Sequence, residues 1–279
     1  MLARLEFAGR ALTLRLLMLP FVVPTLVAAL GVLALWGPRG WLGEPLLRAG
    51  IDLSETPWLL LYGNLFFNLC LVVRAGVEAL EQVSAQQVAA ARSLGASPWR
   101  AFCRVEWPAI VPWLASALCL VFLYCFAGFG LALVLGGQRY ATVEVELYTL
   151  VAHELALGQA SVLAVWSLLL TALVALAYAA LQRRLAAPVR PQPVPRRRPA
   201  GVRERLAVVL CLGVLLLVCV APLLAIVGKA AVALASGAAA VLVESETLQA
   251  LGNTLRFTGL ALALATARGL AHALGVHAL

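Results

Sequence analysis

No charged residue interrupts positions 160–181, a run as long as the roughly 20 apolar residues a helix needs to cross bilayer hydrocarbon. Five further stretches, 16–36, 58–73, 109–135, 206–227 and 253–274, carry the same apolar character. The sequence has no train of roughly ten-residue alternating segments, which excludes a strand barrel. At 63% hydrophobic and 12% charged, the chain lies far from a soluble domain, in which about a quarter of residues are charged. An all-α, polytopic membrane protein of about six transmembrane helices is the predicted fold class.

The placement of the 21 Lys and Arg residues gives a predicted orientation. Sixteen fall with the N-terminus, the segment from Arg74 to Arg104, the stretch 183–205 and Arg268, leaving Arg39, Arg48, Arg139, Lys229 and Arg256 opposite. Basic loops stay inside, so residues 86–108 and 186–205 are predicted to be cytoplasmic, and 37–57, 136–158 and 228–250 to lie outside. The apolar run after the basic N-terminus is too long for an ordinary signal peptide core and lacks a small-residue cleavage pattern, so it reads as a retained span. Pro20 and Pro24 predict a kink or break within it.

Chemistry-bearing residues are few. The six cysteines show no CxxC or His-paired spacing and read as small buried hydrophobes. Glu144, Glu146, His153 and Glu154 share one outer segment and read as solvated charge rather than a metal site. Asn64 and Asn68 lie four apart on one helix face, which suits either a polar pathway or interhelical hydrogen bonds. No phosphate loop, GxSxG or HExxH motif is present, so the chain carries no catalytic machinery of its own. Residues 186–205, AAPVRPQPVPRRRPAGVRER, are too rich in proline and arginine to pack a core. They read as a semi-rigid linker facing water and anionic membrane lipid, and without interleaved aromatics they do not read as a nucleic-acid arm.

Residues 86–108, QQVAAARSLGASPWRAFCRVEWP, are a charged and helix-prone insert between two spans. Ala79 to Leu94 contains no proline and only helix-compatible residues, predicting one continuous helix. Gly95 suits a left-handed stop. Ser97 and Pro98 read as an N-cap and first-turn proline that restart a short helix. The result is a compact two-helix knob hinged at Gly95. Ala89, Ala90 and Ala91 permit close approach, and Arg92, Arg100 and Arg104 are placed to meet acids on a docked surface.

This insert resembles the EAA loop of binding-protein-dependent ABC transporter permeases, E-A-A, three residues, Gly, nine residues, I-x-L-P. Ala89, Ala90, Ala91, Gly95, Val105 and Pro108 occupy its positions, with Ala89 in place of the glutamate. Further text, including CFAGFGLALVLGGQRYATVEVELYTL, is similar to the thiamine branch of that family, and iron(III) permeases share its two-half plan. The resemblance implies a type I importer permease fold, present in part. Residues 1–185 would be a first half lacking its leading helices, 186–205 the linker, and 206–279 the truncated start of a second half.

It further implies a bacterial inner-membrane location. The implied partners are ABC ATPase subunits, which would hold ATP and Mg, a periplasmic substrate-binding protein, and a second permease half or second copy. The ATPase-coupling loop would comprise Ala89, Ala90, Ala91, Arg92, Gly95, Ala96, Pro98, Trp99, Arg100, Arg104, Val105 and Pro108. Iron(III) or polyamine import, a secondary carrier and an inactive truncated membrane anchor are the competing expectations. The carrier needs an intramembrane ion site, and the spans through Leu181 hold no acid to make one.

Overall fold

The computed structural model describes residues 2–185 and 194–277. The described residues form helices and no sheet; an isolated bridge pairs Leu5 with Arg197 in parallel. The chain divides into two compact units, Met1–Ile226 and Val227–Leu279.

The first apolar run does not form one straight span. It folds as α1 (Arg10–Leu16), α2 (Leu19–Val22) and α3 (Thr25–Trp36), with a bend of 110° between the first two and the third. Proline forces the residue before it out of the helical region, and Val23 and Pro24 are accordingly extended. A short α4 (Gly43–Arg48) and a 3-10 turn (Leu53–Glu55) follow. Asp52 caps that turn by accepting from the Ser54 amide at 2.8 Å.

α5 (Trp58–Glu81) runs past Arg74, where the sequence left the span short. The Arg74–Glu78 pair, one turn apart at 2.7 Å, keeps those charges satisfied on the helix surface. The predicted helix from Ala79 to Leu94 is interrupted: α5 stops at Glu81 and α6 (Ala85–Ser93) restarts after Ser84. Val83, at that break, is buried with Ala79 and Ile110. The second half of the insert is also not a separate short helix. α7 (Pro98–Ala101), a π-turn (Phe102–Glu106) and α8 (Trp107–Phe126) make one continuous helical rod, Pro98–Phe126.

After α8 the chain breaks at Ala127–Gly128. It then forms α9 (Phe129–Leu131), a second π-turn (Ala132–Gly136) and α10 (Val143–Ala152). The acidic outer segment is therefore helical and not an open loop. α11 (Leu157–Leu185) extends the charge-free run by several residues at each end. The core of the unit packs α3 against α5, with Phe66, Val32, Ala28 and Ala29 fully buried.

Val194–Ala200 is non-helical, with Arg197 its bridge residue, the end of the predicted linker from Val202 is already in a helix, and 186–193 lies outside the described residues. α12 (Val202–Cys219) and α13 (Ala221–Ala235) are bent by 46° where one span was expected. Pro222 has no N–H to give the Val218 carbonyl one turn earlier. The Tyr62 hydroxyl donates there instead, 2.9 Å from the Leu217 oxygen and 3.5 Å from that of Val218.

In the second unit, a 3-10 turn (Ala238–Val243) precedes α14 (Ser245–His277). The small-residue outer segment predicted for 228–250 is thus largely helix. By length and composition, α5, Pro98–Phe126 and α11 each suffice to cross a membrane, and the two bent pairs raise the number to five. α14, 33 residues long, is the sixth long helical element.

Candidate functional site

The two charged ends of the first unit are built differently. At one end Glu55 pairs with Arg139, and the Tyr140 hydroxyl donates to the Glu55 carbonyl at 3.0 Å, closing the segment before α5 onto that before α10. The opposite end holds α6, α7 and the π-turn, projecting as a knob.

The knob's geometry follows from local backbone chemistry. α6 ends in a Schellman motif: the Gly95 amide donates to Arg92 O at 3.0 Å and the Ala96 amide to Ala91 O at 3.1 Å. This closure requires a left-handed residue at Gly95, whose φ is +83°. Ser97 then caps α7 by accepting from the Arg100 amide at 3.3 Å, and Pro98 occupies the first helical position, as read from the sequence. The π-turn has its own cause. Pro108 carries no N–H for Arg104 O, and its ring crowds that carbonyl. The Trp107 amide reaches back five residues to Phe102 O instead. The foot of the knob is fixed, since Val88 and Phe102 pack on buried Ala79, Val83 and Ile110.

Its outer surface is open. Leu94 is 89% and Trp99 71% exposed; Ala89, Ala90, Arg92, Gly95, Pro98, Arg100, Arg104 and Pro108 are also exposed, with Ala91, Ala96 and Val105 half-buried. A hollow of about 360 Å³ lies between the end of α6 and the rod, lined by Leu94, Ala96, Arg100, Arg104 and Val105. Arg100, Arg104 and Leu94 line this hollow, while Arg92 and Trp99 are exposed elsewhere on the knob. Between Gln82 and Val143 the sequence contains a single acid, Glu106, and it is turned away onto Arg4 at 3.1 Å.

The structure places the predicted coupling-loop residues in this knob, except Pro108, which lies in the first turn of α8. Sequence reasoning missed the break at Val83, although Ser84 and Gln87 have the spacing of a capping box that marks a helix start. Leu94, whose apolar side chain would suit a packed helix face, is instead the most exposed large hydrophobic side chain of the knob. The partnership of Arg4 with Glu106 spans 102 positions and leaves no local pattern.

Asn64 and Asn68 lie elsewhere, in α5. Asn64 is half-buried and donates to Leu60 O at 3.2 Å; Asn68 is 4% exposed and donates to Asn64 O at 3.0 Å and to the Cys125 sulfur of α8 at 3.3 Å. This arrangement ties α5 to α8. The six cysteines, all within the described residues, are free, with Cys70 and Cys219 buried and Cys103 exposed. Among the described residues, Glu144, Glu146, His153 and Glu154 do not form a group able to hold a metal ion.

A bundle of apolar helices, broken at prolines and carrying a rigidly footed cationic knob at one end, defines a polytopic membrane component. The chain matches the family described as binding-protein-dependent transport system inner membrane component over residues 1–187, and it belongs to that family. It is 34% identical to the thiamine transport system permease protein ThiP of Escherichia coli, over 58% of this chain and 31% of that protein. The corresponding protein of Salmonella typhimurium is 32% identical over 68% of this chain and 35% of its own length. The chain therefore spans about a third of the length of these relatives. The sulfate transport system permease protein CysT of Escherichia coli is 34% identical over 52% of each chain. Among solved structures, a bacterial ABC transporter that imports the acidic polysaccharide alginate shares the fold, with a TM-score of 0.53 at 18% identity over 66% of this chain and 70% of the other.

Proposed function

We propose that the chain is a transmembrane subunit of a bacterial inner-membrane ABC importer, and that residues 86–108 are its cytoplasmic coupling loop. The observation that carries this reading is the knob itself. Its foot is locked into the bundle, its outer face exposes Leu94, Trp99 and three arginines, and its second arm continues unbroken into a span. ATPase subunits docked on that face supply the energy for which the chain has no motif. Substrate arrives from a periplasmic binding protein, and the helices of this chain, with a second permease half or a second copy, form the pathway. Thiamine is the substrate the reading favours, on the likeness to the thiamine permeases.

Replacing Gly95 with a bulky residue tests the coupling. Substrate-stimulated ATP hydrolysis of the reconstituted complex is expected to be lost while membrane insertion persists; unchanged hydrolysis overturns the assignment. Calorimetry on the cognate binding protein with thiamine, ferric iron and sulfate tests the substrate, and tight binding of either inorganic ion in place of thiamine refutes it.

A further inference from the structure

Four segments meet beside the knob through residues that take no part in its outer surface. Leu2, Ala3 and Leu5 are buried, so the stretch before α1 is a fixed strap. Arg10 secures it by donating to Leu2 O at 2.6 Å and to Glu81 at 3.2 Å, at the end of α5. Arg4 donates to Glu106 in the π-turn at 3.1 Å. The Arg4 carbonyl accepts from the Arg197 amide at 3.1 Å, and the Glu6 amide returns a bond to Arg197 O at 2.9 Å. Arg197 in turn forks onto Glu204, in the first turn of α12, at 2.8 and 2.5 Å. Its guanidinium is held above its usual pKa by that carboxylate.

Glu106, Arg4, Arg197 and Glu204 are therefore linked without a gap, from the knob's continuous rod to the helix that follows the linker. The choice of partner is informative. Arg104 lies two residues from Glu106 yet faces out, and Glu106 instead takes Arg4, with side chains only 21% and 17% exposed. Opening such a shielded pair by removing one partner costs more than losing a solvated surface pair. The central link is a pair of backbone hydrogen bonds, so it transmits displacement whatever side chains surround it.

We propose that Arg4 is a positioning residue that passes movement of the knob's rod to α12, so that a displacement of the coupling loop is felt beyond the linker. This rests on residues 86–108 being the coupling loop. The test compares the parent chain with Arg4→Gln, Glu106→Gln, Arg4→Lys and the swap Arg4→Glu with Glu106→Arg. In lipid nanodiscs, either Gln variant is expected to speed amide exchange at Arg197 about 10-fold, the loss of one charge-assisted bond, and the Lys and swap variants to restore it.

In the importer reconstituted with its ATPase and binding-protein subunits, Arg4→Gln is expected to retain stimulated hydrolysis but move at least about 5-fold less substrate per ATP, a modest coupling free energy. The swap is expected to recover transport. Normal substrate per ATP in Arg4→Gln, or a swap that folds but does not recover, overturns the inference and leaves the coupling loop standing. If the bulky Gly95 variant hydrolyses ATP normally, the underlying reading falls instead.

Discussion

Gly95 sets the shape of the knob through backbone conformation alone, which makes its replacement a quantitative test. A Cβ added there meets nothing within 4 Å, so no steric clash contributes. The whole cost comes from φ of +83°, a region that disfavours L-residues by about 1–2 kcal/mol. Alanine is therefore expected to shift the closed Schellman turn toward open forms by a factor of about 5–30. Valine, branched at Cβ, costs more, and asparagine, which tolerates the left-handed region, costs least. The readout is hydrogen exchange at the Gly95 and Ala96 amides, whose acceptors are Arg92 O and Ala91 O, in the full chain in nanodiscs. Exchange is expected to accelerate in the order Asn, Ala, Val, while amides of α5 stay protected. Parental exchange in the Val variant, or equal effects of Asn and Val, refutes the reasoning.

Four further outcomes are expected. Trp99→Ala, at a side chain 71% exposed, leaves thermal stability unchanged but weakens capture of the co-expressed ATPase subunit, measured by co-purification; undiminished capture contradicts the docking assignment. Asn68→Ala removes one interhelical bond to Cys125 and costs about 0.6 kcal/mol in reversible detergent unfolding; a loss several times larger contradicts that limited role. Gly31→Val drives new bulk at the Pro222 carbonyl, already 3.0 Å from an ideal Cβ, and lowers stability by about 1–3 kcal/mol, the usual cost of overpacking; an unchanged melting temperature contradicts the close approach. Hydrogen bonds from the Ser54 hydroxyl and amide hold the Asp52 carboxyl below 3.8, so its turn is fully supported above that pH and released as pH falls through the lower folded value. Asp52→Asn abolishes this acid transition in the fluorescence of nearby Trp58, and a transition that survives the substitution assigns it to another group.

Local chemistry was legible where one or two residues decide the outcome. The charge-free run that became α11, the left-handed Gly95 and the Ser97–Pro98 restart each depend on properties carried within a few positions. The orientation of Glu106 and the interruption at Val83 depend on partners distant in sequence. Nothing near Val83 forbids a continuous helix; burial against Ile110 outweighs intrinsic propensity. The breaks at Val23–Pro24 and Val220 were foreseeable as proline effects, but their angles of 110° and 46° come from what each half packs against. Helix α10 was obscured because its glutamates look like a solvated loop. They fall in the first turn, where a helix N-terminus favours negative charge.

The unbroken course of Pro98–Phe126 has a mechanical corollary. Its 29 residues at about 1.5 Å each make a bar roughly 44 Å long. A pivot near Cys125, where Asn68 holds the rod to α5, would make it a lever: over the roughly 39 Å from there to Trp99, a tilt of about 5° would sweep Trp99 through about 3.4 Å, less than one helical pitch of about 5.4 Å. Read in the other direction, a push of that size on the knob becomes a far smaller and more forceful shift near the fulcrum, so the length of the bar sets the gear ratio between the two ends.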